Sequence, residues 1–100
     1  MSYPKLTQNE AEIARLLSPG IEMYGLEMVK GSDMLRRGTI YVYLSRMAEK
    51  GYVESRLEDT VVGDGPPRRL YKLTGLGARA YRAMQFGQKA FEGLEGSWAT

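Results

Sequence analysis

The stretch Arg36-Arg37-Gly38-Thr39-Ile40-Tyr41-Val42-Tyr43-Leu44-Ser45-Arg46-Met47-Ala48-Glu49-Lys50-Gly51 decides how this chain is read. Ile40, Tyr43, Leu44 and Met47 recur at i, i+3, i+4 and i+7, the spacing of one helical face. The other face carries Arg37, Thr39, Tyr41, Val42, Ser45 and Arg46, and Gly51 supplies a stop after Lys50. A helix with basic, aromatic and hydrogen-bonding groups on its free side suits the major groove of DNA. The same pattern also describes an ordinary solvated surface helix, so the flanking segments have to decide.

Upstream, Thr7-Gln8-Asn9-Glu10 fits a capping box, in which Thr7 and Glu10 each satisfy a backbone N–H of the other. The helix it starts is expected to bury Ile13, Leu16 and Leu17 and to stop at Ser18-Pro19-Gly20. A short helix from about Tyr24 to Lys30, burying Leu26 and Val29, ends at Gly31-Ser32, and Asp33-Met34-Leu35 connects it to residues 36–51. Three short helices with brief breaks are the parts of a helix-turn-helix.

Downstream of Gly51 the period changes to two. Val53, Ser55 and Leu57 alternate with Glu54, Arg56 and Glu58, which predicts a half-buried strand. Val61-Val62-Gly63-Asp64-Gly65-Pro66-Pro67 reads as the tip of a hairpin, because two glycines and two prolines cannot continue a ladder. Arg68 to Leu73 is the return strand, with Tyr71 and Leu73 on one side. Thr74 is the expected N-cap of a last helix running to about Leu94. Its apolar stripe of Leu76, Ala80, Ala83/Met84, Gly87, Phe91, Leu94 and Trp98 has the near-heptad spacing of a helix that pairs with another helix. The fold class is therefore α+β, mainly α: a winged helix-turn-helix of three helices and a two-stranded wing, plus one C-terminal helix. Residues 1–73 would form the winged-helix domain and residues 74–100 the dimerisation helix and tail.

Composition narrows the function. One hundred residues make one small domain, and the absence of cysteine and histidine removes disulfides, thiolate metal sites and the commonest general base. No glycine-rich phosphate loop, acidic cluster at ligand spacing or base beside a serine is present, which argues against an enzyme and implies no cofactor or metal. No apolar run reaches the length of a membrane span or a signal peptide, so a soluble cytoplasmic protein is expected. The formal charge is −2 over residues 1–29, +3 over residues 30–72 and +1 over residues 73–100. The positive excess sits around the central helix.

Gly38-Thr39-Ile40-Tyr41, followed by Leu44, Met47 and Glu49-Lys50-Gly51-Tyr52-Val53-Glu54-Ser55, resembles the third helix and first wing strand of PadR-family transcriptional regulators. Gly65-Pro66-Pro67-Arg68-Arg69-Leu70-Tyr71-Lys72-Leu73-Thr74, with Gly77 beyond it, resembles that family's second wing strand and the start of its C-terminal helix. Tyr24-Gly25-Leu26-Glu27 resembles the start of its second helix, with leucine where an aromatic is usual. The resemblance spans residues 10–80 and implies a homodimeric repressor of double-stranded operator DNA, paired through C-terminal helices and often relieved by a small molecule. The chain departs from the pattern where Arg36 and Arg37 replace a serine and a proline, and where Val42 and Tyr43 replace a proline and a small residue. Two cations at a helix start oppose the macrodipole by about 0.3–1 kcal/mol each, a penalty that nearby phosphate would offset.

The expected DNA-binding residues are Arg36, Arg37, Thr39, Tyr41, Arg46, Arg68 and Arg69. Alternation places Arg68 and Arg69 on opposite faces of the wing, one toward DNA and the other available to Glu54, Glu58 or Asp59. Tyr41 has a second reading as core beneath the wing. Leu76, Ala80, Met84, Gly87, Phe91 and Leu94 are the expected dimer seam, and Phe91 and Trp98 are the candidates for an effector pocket. The competing function is a winged-helix module that binds protein through Tyr41 and Tyr43, and a DNA-binding protein without ligand control is a further alternative.

Overall fold

Thr7 opens the first helix, α1 (Gln8–Leu17). Its hydroxyl accepts from the Glu10 N–H at 3.2 Å, while the Glu10 carboxylate accepts from the Thr7 N–H at 2.9 Å, so the capping box forms as read. The computed structural model describes residues 6–18, 20–58 and 68–98, with side chains through residue 87. Within these, β1 (Met23–Tyr24), α2 (Gly25–Lys30), α3 (Ile40–Glu49), β2 (Val53–Leu57), β3 (Arg69–Leu73) and α4 (Gly75–Trp98) follow in order. Pro19 and the hairpin tip read at Val61–Pro67 lie outside the described residues.

The run Ile40-Tyr41-Val42-Tyr43 is β-branched and aromatic, and each of these residues costs up to about 0.7 kcal/mol in a helix relative to alanine. Burial settles the contest. Ile40, Leu44 and Met47 are fully enclosed, and removing side chains of that size from water stabilises by about 1.5–3 kcal/mol each. They meet Ile13, Ala14 and Leu17 of α1, Met28 of α2 and Leu35 in one core. Tyr43 is half-buried and packs on its edge, so spacing predicts its direction and its bulk keeps it from full enclosure.

Two helix expectations need correction. In α2 the inward residues are Gly25 and Met28, whereas Leu26 is 37% exposed and Val29 only half-buried. The inward stripe is one residue out of phase with the reading, because Gly25 is the point of closest approach to α3. The helix read from Arg36 begins at Ile40 instead. Before it, the Arg36 carbonyl accepts from the N–H groups of Thr39 and Ile40 at 3.2 and 3.0 Å, which makes Arg36–Thr39 a separate turn.

The sheet is antiparallel with the order β1-β3-β2, one strand more than the hairpin alone. Two residues of β1 suffice because Met23 and Tyr24 lie opposite Tyr71 and Leu70 of β3. In β2 only Val53 is buried; Ser55 and Leu57 are exposed, contrary to the half-buried face expected. The β2 leg outruns the core, so neither of its faces is covered beyond Val53. β3 keeps the expected alternation, with Tyr71 and Leu73 buried.

Thr74 caps α4. Its hydroxyl accepts from the Gly77 N–H at 3.0 Å and donates to the Gly51 carbonyl at 2.6 Å, tying the turn after α3 to the base of α4. The inward stripe of α4 is Gly77, Ala80, Tyr81 and Met84, at i, i+3, i+4 and i+7. Ala80 is fully buried in the protomer's own core and Met84 half-buried. Ala80 therefore cannot serve the dimer seam to which the near-heptad spacing assigned it.

Candidate nucleic-acid interface

With Ile40, Leu44 and Met47 facing inward, α3 presents Tyr41, Val42, Ser45 and Arg46 to solvent, and the turn before it presents Arg36, Arg37 and Thr39. All seven residues are exposed, Tyr41 and Val42 by about half. Arg36 is drawn back into its own turn by a 2.9 Å bond from Nη1 to the Asp33 carbonyl. Thr39 stands at the N-cap without a side-chain cap bond to the helix, so its hydroxyl is not committed to the first turn of α3.

Tyr41 is seated on α2. A Cβ at Gly25 would lie 2.8 Å from its ring carbon Cε1 and 3.1 Å from its hydroxyl, so the ring rests where only glycine leaves room. Tyr41 is half-exposed, which makes it a solvent-side residue of α3 braced by α2 rather than core beneath the wing.

The two wing arginines part company as alternation requires. Arg69 lies opposite Leu57 and donates from Nη1 to the Ser55 hydroxyl at 3.0 Å. Ser55 pairs with Tyr71, so this is the face of the sheet that looks toward α3. Burial pushes the Tyr71 hydroxyl pKa up, the Arg69 charge opposes that rise, and Tyr41 adds to it. Tyr71 is thus within electrostatic reach of both Arg69 and Tyr41. Arg68 occupies the opposite face, its guanidinium 5.3 Å from the centre of the Tyr24 ring. Among the described residues this stacking takes the place of the ion pair expected with Glu54 or Glu58, and Asp59 lies outside them. The structure exposes Arg37, Thr39, Tyr41 and Arg46 on α3 and its leading turn, with Arg69 on the sheet face that carries Ser55 and Tyr71 and Arg68 on the opposite face.

Two features escaped sequence reading, the seat at Gly25 and the grip of Tyr24 on the hairpin. The signal for the first was a glycine at the start of a short helix, a place where a close backbone approach is common. The second depends on β1, which is too short to show a period. Among the described residues no group of three or more acidic, histidine or cysteine side chains could hold a metal. No helix among them is long and apolar enough to cross a membrane.

Residues 16–83 match the model of the transcriptional regulator PadR-like family. The chain belongs to that family. PadR-like proteins are transcriptional regulators, not enzymes, and the match runs from the end of α1 through α2, α3 and the wing into the first part of α4. Solved structures share the fold. A PadR family transcription regulator from Clostridium difficile R20291 is 23% identical with a TM-score of 0.73, covering 90% of this chain and 96% of its own. A PadR-like transcription factor from Bacteroides fragilis is 22% identical with a TM-score of 0.76, covering 87% and 85%. Bacillus subtilis PadR, solved in complex with operator DNA, is 19% identical with a TM-score of 0.67, covering 87% of this chain and 59% of its own. Among curated proteins none matches the sequence.

Proposed function

We propose that this PadR-family protein is a homodimeric, sequence-specific DNA-binding repressor whose α3 enters the major groove while the α3-facing side of the wing meets the backbone. The observation that carries this reading is the free face of α3, with Arg37, Thr39, Tyr41 and Arg46 exposed, and Arg69 exposed on the sheet face that carries Tyr71. Arginine near a helix start reaches guanine edges, and Tyr41 with Val42 offers apolar surface to a thymine methyl. Thr39 and Arg69 suit phosphate oxygens. The Bacillus subtilis structure, bound to operator DNA, supports the same mode of action for this fold. In a two-fold dimer the two α3 helices would sit about 34 Å apart, one turn of DNA, and read an inverted repeat. Relief by a small molecule, for which Phe91 and Trp98 are the candidate contacts, belongs to the same proposal.

The experiment is binding to duplexes selected from a random pool, measured across salt concentrations. Arg37→Ala combined with Arg69→Ala is expected to weaken binding and flatten the salt dependence by roughly one ion per lost phosphate contact. Unchanged affinity and slope in that variant would remove this surface from the proposal. No binding of any duplex at low salt would favour a protein-binding role for the Tyr41 face.

A further inference from the structure

The hairpin poses a mechanical question. Beyond Val53 every residue of β2 is exposed, and past Tyr71 toward the tip no residue of β3 is buried, so no core holds the outer part of the wing at a fixed angle to α3. A ladder of backbone hydrogen bonds joins its two legs but does not aim them.

Tyr24 supplies the missing hold. Its hydroxyl donates to the carboxylate of Glu58, the residue after β2. Its ring lies beneath the guanidinium of Arg68, the residue before β3, at 5.3 Å. The legs are joined at the same level, where the Glu58 N–H donates to the Arg68 carbonyl at 2.8 Å. One side chain thus grips a residue from each leg. Tyr24 is itself fixed, since it pairs with Leu70 across the sheet and its N–H donates to Glu27 Oε1 at 2.8 Å. The Glu58 hydrogen bond also raises the Tyr24 hydroxyl pKa, as a proton shared toward a carboxylate requires. The next residue, Gly25, carries the Tyr41 ring of α3.

We propose that Tyr24 and Gly25 form a latch that fixes the wing against α3, with Tyr24 and Arg68 acting as positioning residues so that Arg69 and the α3 face meet DNA as one surface. The consequence for binding rests on the DNA-reading function proposed above; the latch itself does not. Arg68 in this scheme holds the wing and makes no phosphate contact.

Two readouts separate these levels. The chain contains no cysteine, so cysteines placed at exposed Ala48 on α3 and Leu57 on β2 carry spin labels without background. With labelled chains diluted in unlabelled ones, the label-to-label distance distribution is expected to be narrow in the parent, wider in Tyr24→Phe and widest in Tyr24→Leu. On a selected duplex, Tyr24→Phe and Arg68→Ala should each weaken binding about two- to tenfold, the size of one lost contact. Their salt slopes should stay unchanged, and Arg68→Ala should add little to Tyr24→Leu, as members of one unit do. Arg69→Ala serves as the variant that does flatten the slope. A distance distribution unaltered by Tyr24→Leu would overturn the latch, and a flattened slope in Arg68→Ala would overturn the role given to Arg68. If the parent binds no duplex, the DNA reading fails and the distance distributions alone decide the latch.

Discussion

Two glycines show how far one hydrogen atom can matter, and how differently. At Gly77 in α4 an added Cβ would stand 2.1 Å from the Tyr52 carbonyl oxygen and 2.8 Å from Leu73 Cδ1. The first neighbour is backbone, held by the N–H of Thr74 at 3.0 Å, and cannot move aside cheaply. Alanine would gain about 1 kcal/mol of helix propensity, yet the base of α4 would have to lift from the sheet. Gly77→Ala is expected to cost about 3 kcal/mol or more net, within the range of severe packing defects. Urea denaturation monitored by circular dichroism measures it, and a neutral or stabilised variant would refute the close approach. At Gly25 the obstructing group is instead the end of the half-exposed Tyr41 side chain, which can swing into solvent. Gly25→Ala should therefore change stability by less than about 1 kcal/mol, the propensity gain and the lost seat being similar in size. Its effect should appear in which duplexes are selected from a random pool, because Tyr41 is released from its brace. Unaltered duplex preference would count against Tyr41 as a base-reading residue.

At the scale of elements, the link between α1 and α3 runs through a buried ion pair. The Glu10 side chain is fully enclosed and both its oxygens lie 3.0 Å from Lys50 Nζ at the end of α3, with Lys50 still 41% exposed. Burial raises the Glu10 carboxyl, but the Thr7 N–H and the Lys50 ammonium together outweigh it, and the pKa is lowered. A carboxyl depressed in the folded state stabilises above its unfolded pKa and loses that contribution as pH falls through the folded one. Glu10→Gln keeps an acceptor for the capping box and removes the charge, so it isolates the pair. It should cost about 1.5–3 kcal/mol at neutral pH, the range for hydrogen bonds to charged groups. The gap to the parent should close in acid; a gap independent of pH in urea titrations would exclude the ion pair as its source. Elements whose causes are local were legible from sequence: the capping box at Thr7, the inward stripe of α3, the alternation of β3 and the cap at Thr74. What was not legible depends on partners distant in the chain. β1 exists only because β3 lies beside it, and Ser55 and Leu57 are exposed because no layer covers the outer hairpin. The exposed α3 face could be read, whereas the wing residue on its side could not, since alternation separates Arg68 from Arg69 without saying which of them faces α3. The inward side of α4 was misread for the same reason. Leu76, Ala80 and Gly87 make an apolar near-heptad on paper, but only contact with α1 and β3 reveals that Ala80 belongs to the core.

For the whole molecule, that correction moves the proposed dimer seam rather than abolishing it. With Gly77, Ala80, Tyr81 and Met84 turned inward, the outward apolar residues of α4 are Leu76, Ala83, Phe86 and Gly87. Leu76 is 42% exposed and Phe86 75%. A phenylalanine left this open forgoes most of its burial energy, about 1.5–3 kcal/mol for a side chain of this kind. A self-complementary seam across a two-fold axis would recover it twice, once from each protomer, because the same patch appears on both sides. Ala83 and Gly87 flank Phe86 along the helix, and their small size would let a partner helix approach closely. Phe86→Glu is therefore expected to convert a dimer into a monomer, placing two like charges near the axis, while leaving the core and its cooperative unfolding intact. Light scattering on a sizing column should give twice the 11.2 kDa chain mass for the parent and one chain mass for the variant. The monomer should also bind an inverted-repeat duplex much more weakly than the parent, since linked half-sites gain from effective concentration and a single reader does not. A parent that is monomeric at tens of micromolar would remove the pairing role from α4. A Phe86→Glu protein that stays dimeric would move the seam elsewhere on the molecule.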